Sequence, residues 1–180
     1  MKSEMVFSGF GGQGALTIGK FIAQSAMTEG KNVSWLPSYG PEMRGGTANV
    51  ATVISDSPIA SPLVSFPDIL VALNQPSLDK FAPDVKKGGI VIVNSDMCPE
   101  INKIDGLTYY VVPMNQISSE IGDVKVLNMI PIGIIIGKTQ TIKFETIEAY
   151  LTKAMKEKNP ALLEKNLKAI QEGIKIATEA

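Results

Sequence analysis

The chain has 180 residues, of which 44% are hydrophobic and 19% charged, and its formal net charge is −1. This length is sufficient for one domain with a sizeable buried core, and the near-neutral charge gives no electrostatic reason to expect nucleic acid or an anionic membrane as a partner. No apolar stretch is long enough for a signal-peptide core or a bilayer span. We therefore expect a single domain over residues 1–180 and a cytoplasmic location.

The composition also limits the chemistry that side chains of this chain can perform. The sequence has no histidine and a single cysteine, Cys98. Ser-His-Asp and Cys-His catalysis, an imidazole metal site and a cysteine-ligated cluster therefore cannot be built within the chain. Cys98 follows a predicted strand, and we interpret it as a bystander rather than a nucleophile. The sequence predicts no catalytic residue and no metal site.

Strands and helices alternate along the first half of the chain. Residues 4–8 read as a strand, and the apolar stripe after them predicts a helix from about residue 14 to residue 28, which Gly30 ends. A short strand follows at 33–36. The alternating pattern of residues 49–56 then indicates a half-buried strand.

The second half continues the alternation. Continuous apolar runs at 68–74 and 89–96 predict central strands that are covered on both faces, with a short helix between them. Another strand is predicted at 109–113. Two helices follow at about 128–138 and 143–156.

The last helix has the clearest signals in the sequence. Asn159 suits the N-cap and Pro160 suits the first helical position. We expect its apolar seam to dock on the chain's own sheet, and a coiled coil with a partner is the alternative. The seam consists of Leu163, Leu167, Ile170, Ile174 and Ala177.

This order of elements predicts an α/β fold. We expect a three-layer αβα domain with a mainly parallel but mixed sheet and a Rossmann-like first βα unit. The mixed character is suggested by the alternating strand at 49–56.

The first candidate loop lies in SGFGGQGALTIGK, whose glycines have the spacing G-x-G-x-x-G between a predicted strand and a predicted helix. In this arrangement the first glycine permits a tight turn, the middle ones let phosphates approach the backbone, and the last lets the helix pack close to the sheet. The helix N-terminus favours an anion. The alternative is that the glycines only shape a tight crossover. The candidate anion-binding residues are Gly9, Phe10, Gly11, Gly12, Gln13 and Gly14.

A dinucleotide site is poorly supported by the region that follows. A Rossmann NAD site requires an acidic residue about 20 residues further on, at the end of the second strand. The corresponding stretch, VSWLPSYG, has no Asp or Glu before Glu42. An NAD(P)- or flavin-binding reductase therefore stays an alternative only.

The second candidate loop lies in PSYGPEMRGGTAN and contains Arg44, the only arginine in the chain. Its planar guanidinium suits carboxylate or phosphate, and a local ion pair with Glu42 is the alternative. Loops after the first two strands open at the same sheet edge, so we expect both candidate loops to meet at one crevice. The candidate residues here are Ser38, Tyr39, Gly40, Pro41, Glu42, Arg44, Gly45 and Gly46.

These motifs resemble the gamma subunit, or gamma domain, of 2-oxoacid:ferredoxin (acceptor) oxidoreductases. The resemblance covers nearly the whole chain. SYGPEMRGG is more similar to the 2-oxoglutarate and branched-chain (ketoisovalerate) enzymes than to the pyruvate enzyme, and an indolepyruvate oxidoreductase subunit has a similar glycine loop. The motifs that carry the resemblance are GFGGQG, SYGPEMRGGTAN, ISDSPIASP, PDILVALNQPS and NMIPIG.

The resemblance implies an enzyme complex that oxidises a 2-oxoacid to acyl-CoA and CO₂ and reduces ferredoxin. Alpha and beta subunits would hold thiamine diphosphate and Mg²⁺, and a cluster-carrying subunit would hold the iron–sulfur clusters. The gamma chain, inactive by itself, would close the active site and assist coenzyme A binding at the glycine loop. The second loop would face the catalytic subunits or the ligand. A pure interaction scaffold is the remaining alternative.

Overall fold

A computed structural model describes residues 1–39 and 47–180 of the chain. Six strands form one sheet in the described part, and six α-helices accompany it. The strands are β1 (Lys2–Phe10), β2 (Asn32–Tyr39), β3 (Thr47–Ser55), β4 (Ile69–Ala72), β5 (Ile90–Asn94) and β6 (Thr108–Val112). The helices are α1 (Ala15–Thr28), α2 (Gln75–Phe81), α3 (Met114–Ile121), α4 (Met129–Thr139), α5 (Phe144–Met155) and α6 (Pro160–Glu179).

The sheet has the order β2-β3-β1-β4-β5-β6 and is mixed. β1, β4, β5 and β6 run parallel, whereas β3 is antiparallel to both of its neighbours, β1 and β2. The predicted α/β fold with a mainly parallel, mixed sheet and an initial βα unit is therefore confirmed.

Helices cover both faces of this sheet because successive side chains of its strands point to opposite sides. Phe7 of β1 belongs to a large apolar cluster with α1, α4 and α6, whereas its neighbour Val6 packs with Leu78 of α2 in a second cluster. The three layers follow from these two clusters. None of the described helices is both long and apolar enough to cross a membrane.

α6 packs within its own chain, but its main neighbour is α4 rather than the sheet. The predicted start is correct, since the Asn159 side chain accepts a hydrogen bond from the Leu162 N–H at 3.0 Å. The predicted docking on the sheet is wrong, because the main neighbours of α6 are the helices α4, α5 and α3. Small residues decide this contact: a Cβ on Gly173 would lie 2.9 Å from the Cα of Gly133 in α4. The helix axes can therefore approach closely, and Leu167 of the predicted seam is only half-buried.

The sequence patterns did not predict α3. The N–H of Met114, its first residue, donates to Oδ1 of Asn94 at 3.2 Å, and Asn94 is the buried last residue of β5. This acceptor is supplied by a different element, so the local sequence around residue 114 carries no sign of it.

Gly173→Ala is expected to destabilise the fold by about 1–3 kcal/mol, as overpacking of a core does, although alanine has the higher helix propensity. The added methyl would overlap the carbonyl oxygen of Ile130 and force α4 and α6 apart. Urea unfolding of the purified chain measures the change. Glu164→Ala on the exposed side of α6 is the control, with an expected effect within about 0.5 kcal/mol. Equal stability of both variants would contradict the close crossing.

Candidate anion-binding site

The glycine loop joins β1 to α1 at the point where the strand order reverses. The chain passes from β1 through α1 to β2 and β3 on one side, and from β4 through α2 to β5 on the other. α1 and α2 cover opposite faces. In open α/β sheets, ligands bind in the crevice beyond the carboxyl ends of the strands at such a point. The loop is therefore placed where this fold class binds ligands.

The backbone of the loop leaves open space above Gly12. The Gln13 N–H donates to the Phe10 carbonyl at 3.1 Å and closes a turn. Gly12 has φ +93°, in the left-handed region, and a Cβ built there would meet no atom within 4 Å. A ligand can therefore approach the peptide groups here without displacing a side chain. This opening favours the anion-binding interpretation over a crossover filled by its own side chains.

The side chain of Gln13 connects this loop to the end of β4 by hydrogen bonds. Its Oε1 accepts from the Phe10 N–H at 2.6 Å and from Asn74 Nδ2 at 3.1 Å, while its Nε2 donates to the Leu73 carbonyl at 3.3 Å. Gly9 makes room for this amide, because a Cβ on Gly9 would lie 2.7 Å from Gln13 Oε1. Gln13 is thus a positioning residue whose hydrogen-bonding groups are already engaged.

A buried polar network that the sequence analysis missed lies next to the hydrogen bonds of Gln13. Asn74 Oδ1 accepts from the Ser77 N–H at 3.0 Å and caps α2, and Ser8 Oγ donates to Ser77 Oγ at 2.8 Å. All three side chains are essentially inaccessible to solvent. The signal in the sequence was Asn74 directly after an apolar strand, with Pro76 two residues later, which is a helix-start pattern.

The N-terminus of α1 has no capping side chain. Gly14, at the N-cap, has φ +88°, and the first turn contains no acidic residue. The first N–H groups of a helix lack intrahelical partners and carry the positive end of the helix dipole, so they favour an anion. The expected role of Gly14 in helix–sheet packing is wrong: a Cβ there would lie 2.8 Å from Asn128 Nδ2, and it is Gly19 that abuts Val50 of β3.

The ends of the second candidate loop lie at the same sheet edge as the glycine loop. β2 ends with Ser38 and Tyr39, and Tyr39 is paired with Ala48, whereas Thr47 of β3 is paired with Phe10. Only the width of β3 therefore separates the two loops at their bases, as expected. The remaining candidates lie outside the described residues, as does the possible Arg44–Glu42 ion pair. They are Gly40, Pro41, Glu42, Arg44, Gly45 and Gly46.

A second concave feature lies away from this crevice. A groove of about 730 Å³ runs between α1 and α5 and is lined by Thr28, Tyr150 and Lys153 among others. Thr28 is the last residue of α1, so the helix length, roughly 20 Å, separates this groove from the glycine loop.

The groups available for chemistry are few in the described residues. Cys98 is 2% exposed, and burial, with a smaller effect of the Asp79 charge, raises the pKa of its thiol to about 12. No three His, Cys, Asp or Glu side chains in the described ranges converge in a way that would hold a metal ion. The described part of the crevice presents the uncapped first turn of α1, with amide and hydroxyl side chains beside it.

Gln13→Ala is expected to lower the free energy of unfolding by about 1–3 kcal/mol, because the Phe10 N–H and the Asn74 amide lose their acceptor. Chemical denaturation measures this loss. Gln116→Ala, which removes an exposed glutamine–glutamate contact on α3, is the matched control and should be near neutral. If Gln13→Ala changed the free energy of unfolding as little as Gln116→Ala, the hydrogen bonds of Gln13 would contribute no stability.

Cys98 is expected to resist alkylation in the folded protein. With a pKa of about 12, only about one thiol in ten thousand is ionised near pH 8, and thiolate is the reactive form. Peptide-level mass spectrometry after iodoacetamide treatment should find Cys98 unmodified, and modified after denaturation. Rapid modification under native conditions would refute the assignment of an inert thiol.

Comparison with known proteins places the chain in a family. The model of the pyruvate ferredoxin/flavodoxin oxidoreductase family matches residues 4–176. The ketoisovalerate oxidoreductase subunit VorA of Methanothermobacter marburgensis is 46% identical over 127 residues, which are 71% of this chain and 26% of that protein. The 2-oxoglutarate synthase subunit KorC of Methanocaldococcus jannaschii is 37% identical over 189 residues, with 99% and 96% of the two chains covered. The chain thus spans about a quarter of VorA and nearly all of KorC.

Solved structures agree with these relatives. The gamma subunit of a keto/oxoacid ferredoxin oxidoreductase from Geobacter sulfurreducens PCA matches with a TM-score of 0.83 and 30% identity, over 99% of each chain. The 2-oxoglutarate:ferredoxin oxidoreductase of Magnetococcus marinus, solved with 2-oxoglutarate, coenzyme A and succinyl-CoA bound, matches with a TM-score of 0.89 and 21% identity, over 99% of this chain and 31% of that one. The second likeness shows the fold alone. The chain belongs to the pyruvate ferredoxin/flavodoxin oxidoreductase family, as a homologue of its gamma-type subunits.

Proposed function

We propose that this chain is the gamma subunit of a 2-oxoacid:ferredoxin oxidoreductase and that its glycine loop binds a phosphate or pyrophosphate group of coenzyme A. The observation that carries the proposal is the open space over Gly12, next to the uncapped N-terminus of α1. A phosphoryl group there would accept hydrogen bonds from backbone N–H groups and interact favourably with the helix dipole.

The residues around this opening fit such a ligand. Gln13 and Gly9 keep the loop in position, and no acidic residue occurs in the first turn of α1. The proposed role of the second loop is to add Arg44, because a guanidinium can bind phosphate or carboxylate in a bidentate manner. Coenzyme A would supply the thiol that accepts the acyl group. The contribution of this chain is to bind and orient the cofactor's anionic end.

The proposed complex places the redox chemistry on other subunits. Alpha and beta subunits would hold thiamine diphosphate and Mg²⁺, a cluster-carrying subunit would hold iron–sulfur centres, and ferredoxin would accept the electrons. Large apolar side chains on the edge strand β2 support an assembly, since Trp35, Leu36 and Tyr39 are 38%, 39% and 60% exposed. The candidate residues from Ser38 to Gly46 begin within the end of this strand and would face the catalytic subunits. The substrate class, a 2-oxoacid of the 2-oxoglutarate or branched-chain type, is taken from the named relatives.

The residues at the end of β2 give less support to the alternative function, a stand-alone nicotinamide or flavin reductase. The acidic residue that would hold the ribose hydroxyls belongs at this position. The last described residues of the strand are Ser38 and Tyr39, neither of which is acidic.

Gly12→Asp is expected to raise the KM for coenzyme A by roughly tenfold or more in the assembled enzyme, because a carboxylate would occupy the space of the anion and repel it. Steady-state reduction of ferredoxin at varied coenzyme A measures the effect. Gly88→Asp is the matched control: Gly88 has φ +82° and equally open surroundings, and it precedes β5 at the opposite sheet edge. An unchanged KM in the Gly12 variant would refute coenzyme A binding at this loop.

A further inference from the structure

The groove between α1 and α5 has walls that are already fixed within the chain. Tyr150 of α5 packs edge-on against Phe21 of α1, with the ring centroids 5.5 Å apart, and its hydroxyl donates a hydrogen bond to Gln24 Oε1. These contacts set the spacing of the two helices. The groove can therefore receive another helix without a rearrangement of its walls.

The lining of this groove is mainly apolar and carries two opposite charges on α5. The charged residues, Glu145 and Lys153, are eight positions apart, which corresponds to about 12 Å along the helix. Neither forms an ion pair with another residue that the structure describes. The rest of the lining consists of Thr28, Thr146, Ala149, Tyr150 and Ala154.

The two charges are placed symmetrically about Ala149. Glu145 precedes it by four residues and Lys153 follows it by four, and residues at this spacing lie on the same face of a helix. All three are exposed. If two copies of α5 packed antiparallel with their Ala149 residues opposite each other, each Glu145 would face the Lys153 of the other copy. This face of α5 is therefore complementary in charge to a second copy of itself, as the interface of a two-fold dimer must be.

The small side chain at the centre favours the same arrangement. The distance between two packed helices depends on the side chains at their contact, so alanine at the crossing point allows a close approach. Each α5 would then lie in the groove of the other copy, with α1 as the second wall. Lys143 and Lys156, which flank α5, do not line the groove, so their positive charges lie away from the crossing point.

We propose that the groove between α1 and α5 is the interface through which two copies of this chain form a symmetric dimer. Burial of the apolar lining supplies most of the affinity. The ion pairs set the antiparallel register, since exposed ion pairs add little affinity, whereas like charges placed opposite each other oppose association. Because the length of α1, roughly 20 Å, separates the groove from the glycine loop, the inference is independent of what that loop binds.

Disulfide trapping of the full chain tests the register. Ala149→Cys brings two thiols together at the symmetry axis and should give a disulfide-linked dimer under mild oxidation. The native Cys98 is 2% exposed and does not compete. Ala161→Cys, at another exposed alanine in the first turn of α6, is the control and should stay monomeric on a non-reducing gel. No linkage in the Ala149 variant, or equal linkage in both, would refute the arrangement.

Charge reversal tests the complementarity, with sedimentation equilibrium from about 1 to about 200 μM chain as the measurement. Lys153→Glu would stand opposite Glu145 of the other copy and should weaken dimerisation by about tenfold. Adding Glu145→Lys should restore the native affinity to within about threefold. Lys168→Glu on the exposed side of α6 changes the net charge equally and should have no effect.

The double variant also excludes an explanation within one chain. In the native chain Glu145 lies in the first turn of α5 and Lys153 in the last, so both charges complement the dipole of that helix. The double variant opposes the dipole, and restored dimerisation would therefore report the contact between copies. A native chain that is monomeric throughout this concentration range, or a double variant as weak as Lys153→Glu, would refute a second copy as the occupant of the groove.

Discussion

The hydrogen bonds of the Gln13 side chain are the contact on which the candidate site depends. They connect the turn after β1 to the carboxyl end of β4, which is 60 residues further along the chain. Because the amide has both a donor and an acceptor in use, it fixes the orientation of the loop as well as its position. The backbone N–H groups at the start of α1 can serve a ligand only if they are held in advance, since each peptide group that must be ordered on binding costs conformational entropy.

The packing of the helices and the geometry of the crevice are linked through α4. Gly133 and Gly173 let α4 and α6 approach closely, and α4 is buried along nearly its whole length. Its first turn then reaches the glycine loop, where Asn128 contacts Gly14. The contact between α4 and α6 therefore determines that Asn128 lies beside the N-terminus of α1.

The proposed function requires no reactive side chain among the described residues. The single thiol of the chain is buried and protonated, and the described groups at the crevice are peptide N–H groups, amides and hydroxyls. Such groups do not titrate near neutral pH, so a site built from them binds an anion with little dependence on pH from the protein side. Family membership agrees with this division of labour, because the relatives are named as subunits of larger oxidoreductases.

The sequence by itself determined the alternation of strands and helices, the glycine loop and the start of α6 at Asn159, because each depends on neighbours within a few residues. Glycine spacing, apolar periodicity and capping residues are local signals. The tertiary structure alone decided the hydrogen bonds of Gln13 and Asn74, the position of Asn128 against Gly14, the docking of α6 on α4 and the existence of α3. Each of these depends on a partner from a distant part of the chain, such as Leu73 for Gln13, and residue spacing within one segment does not show which distant atoms will meet.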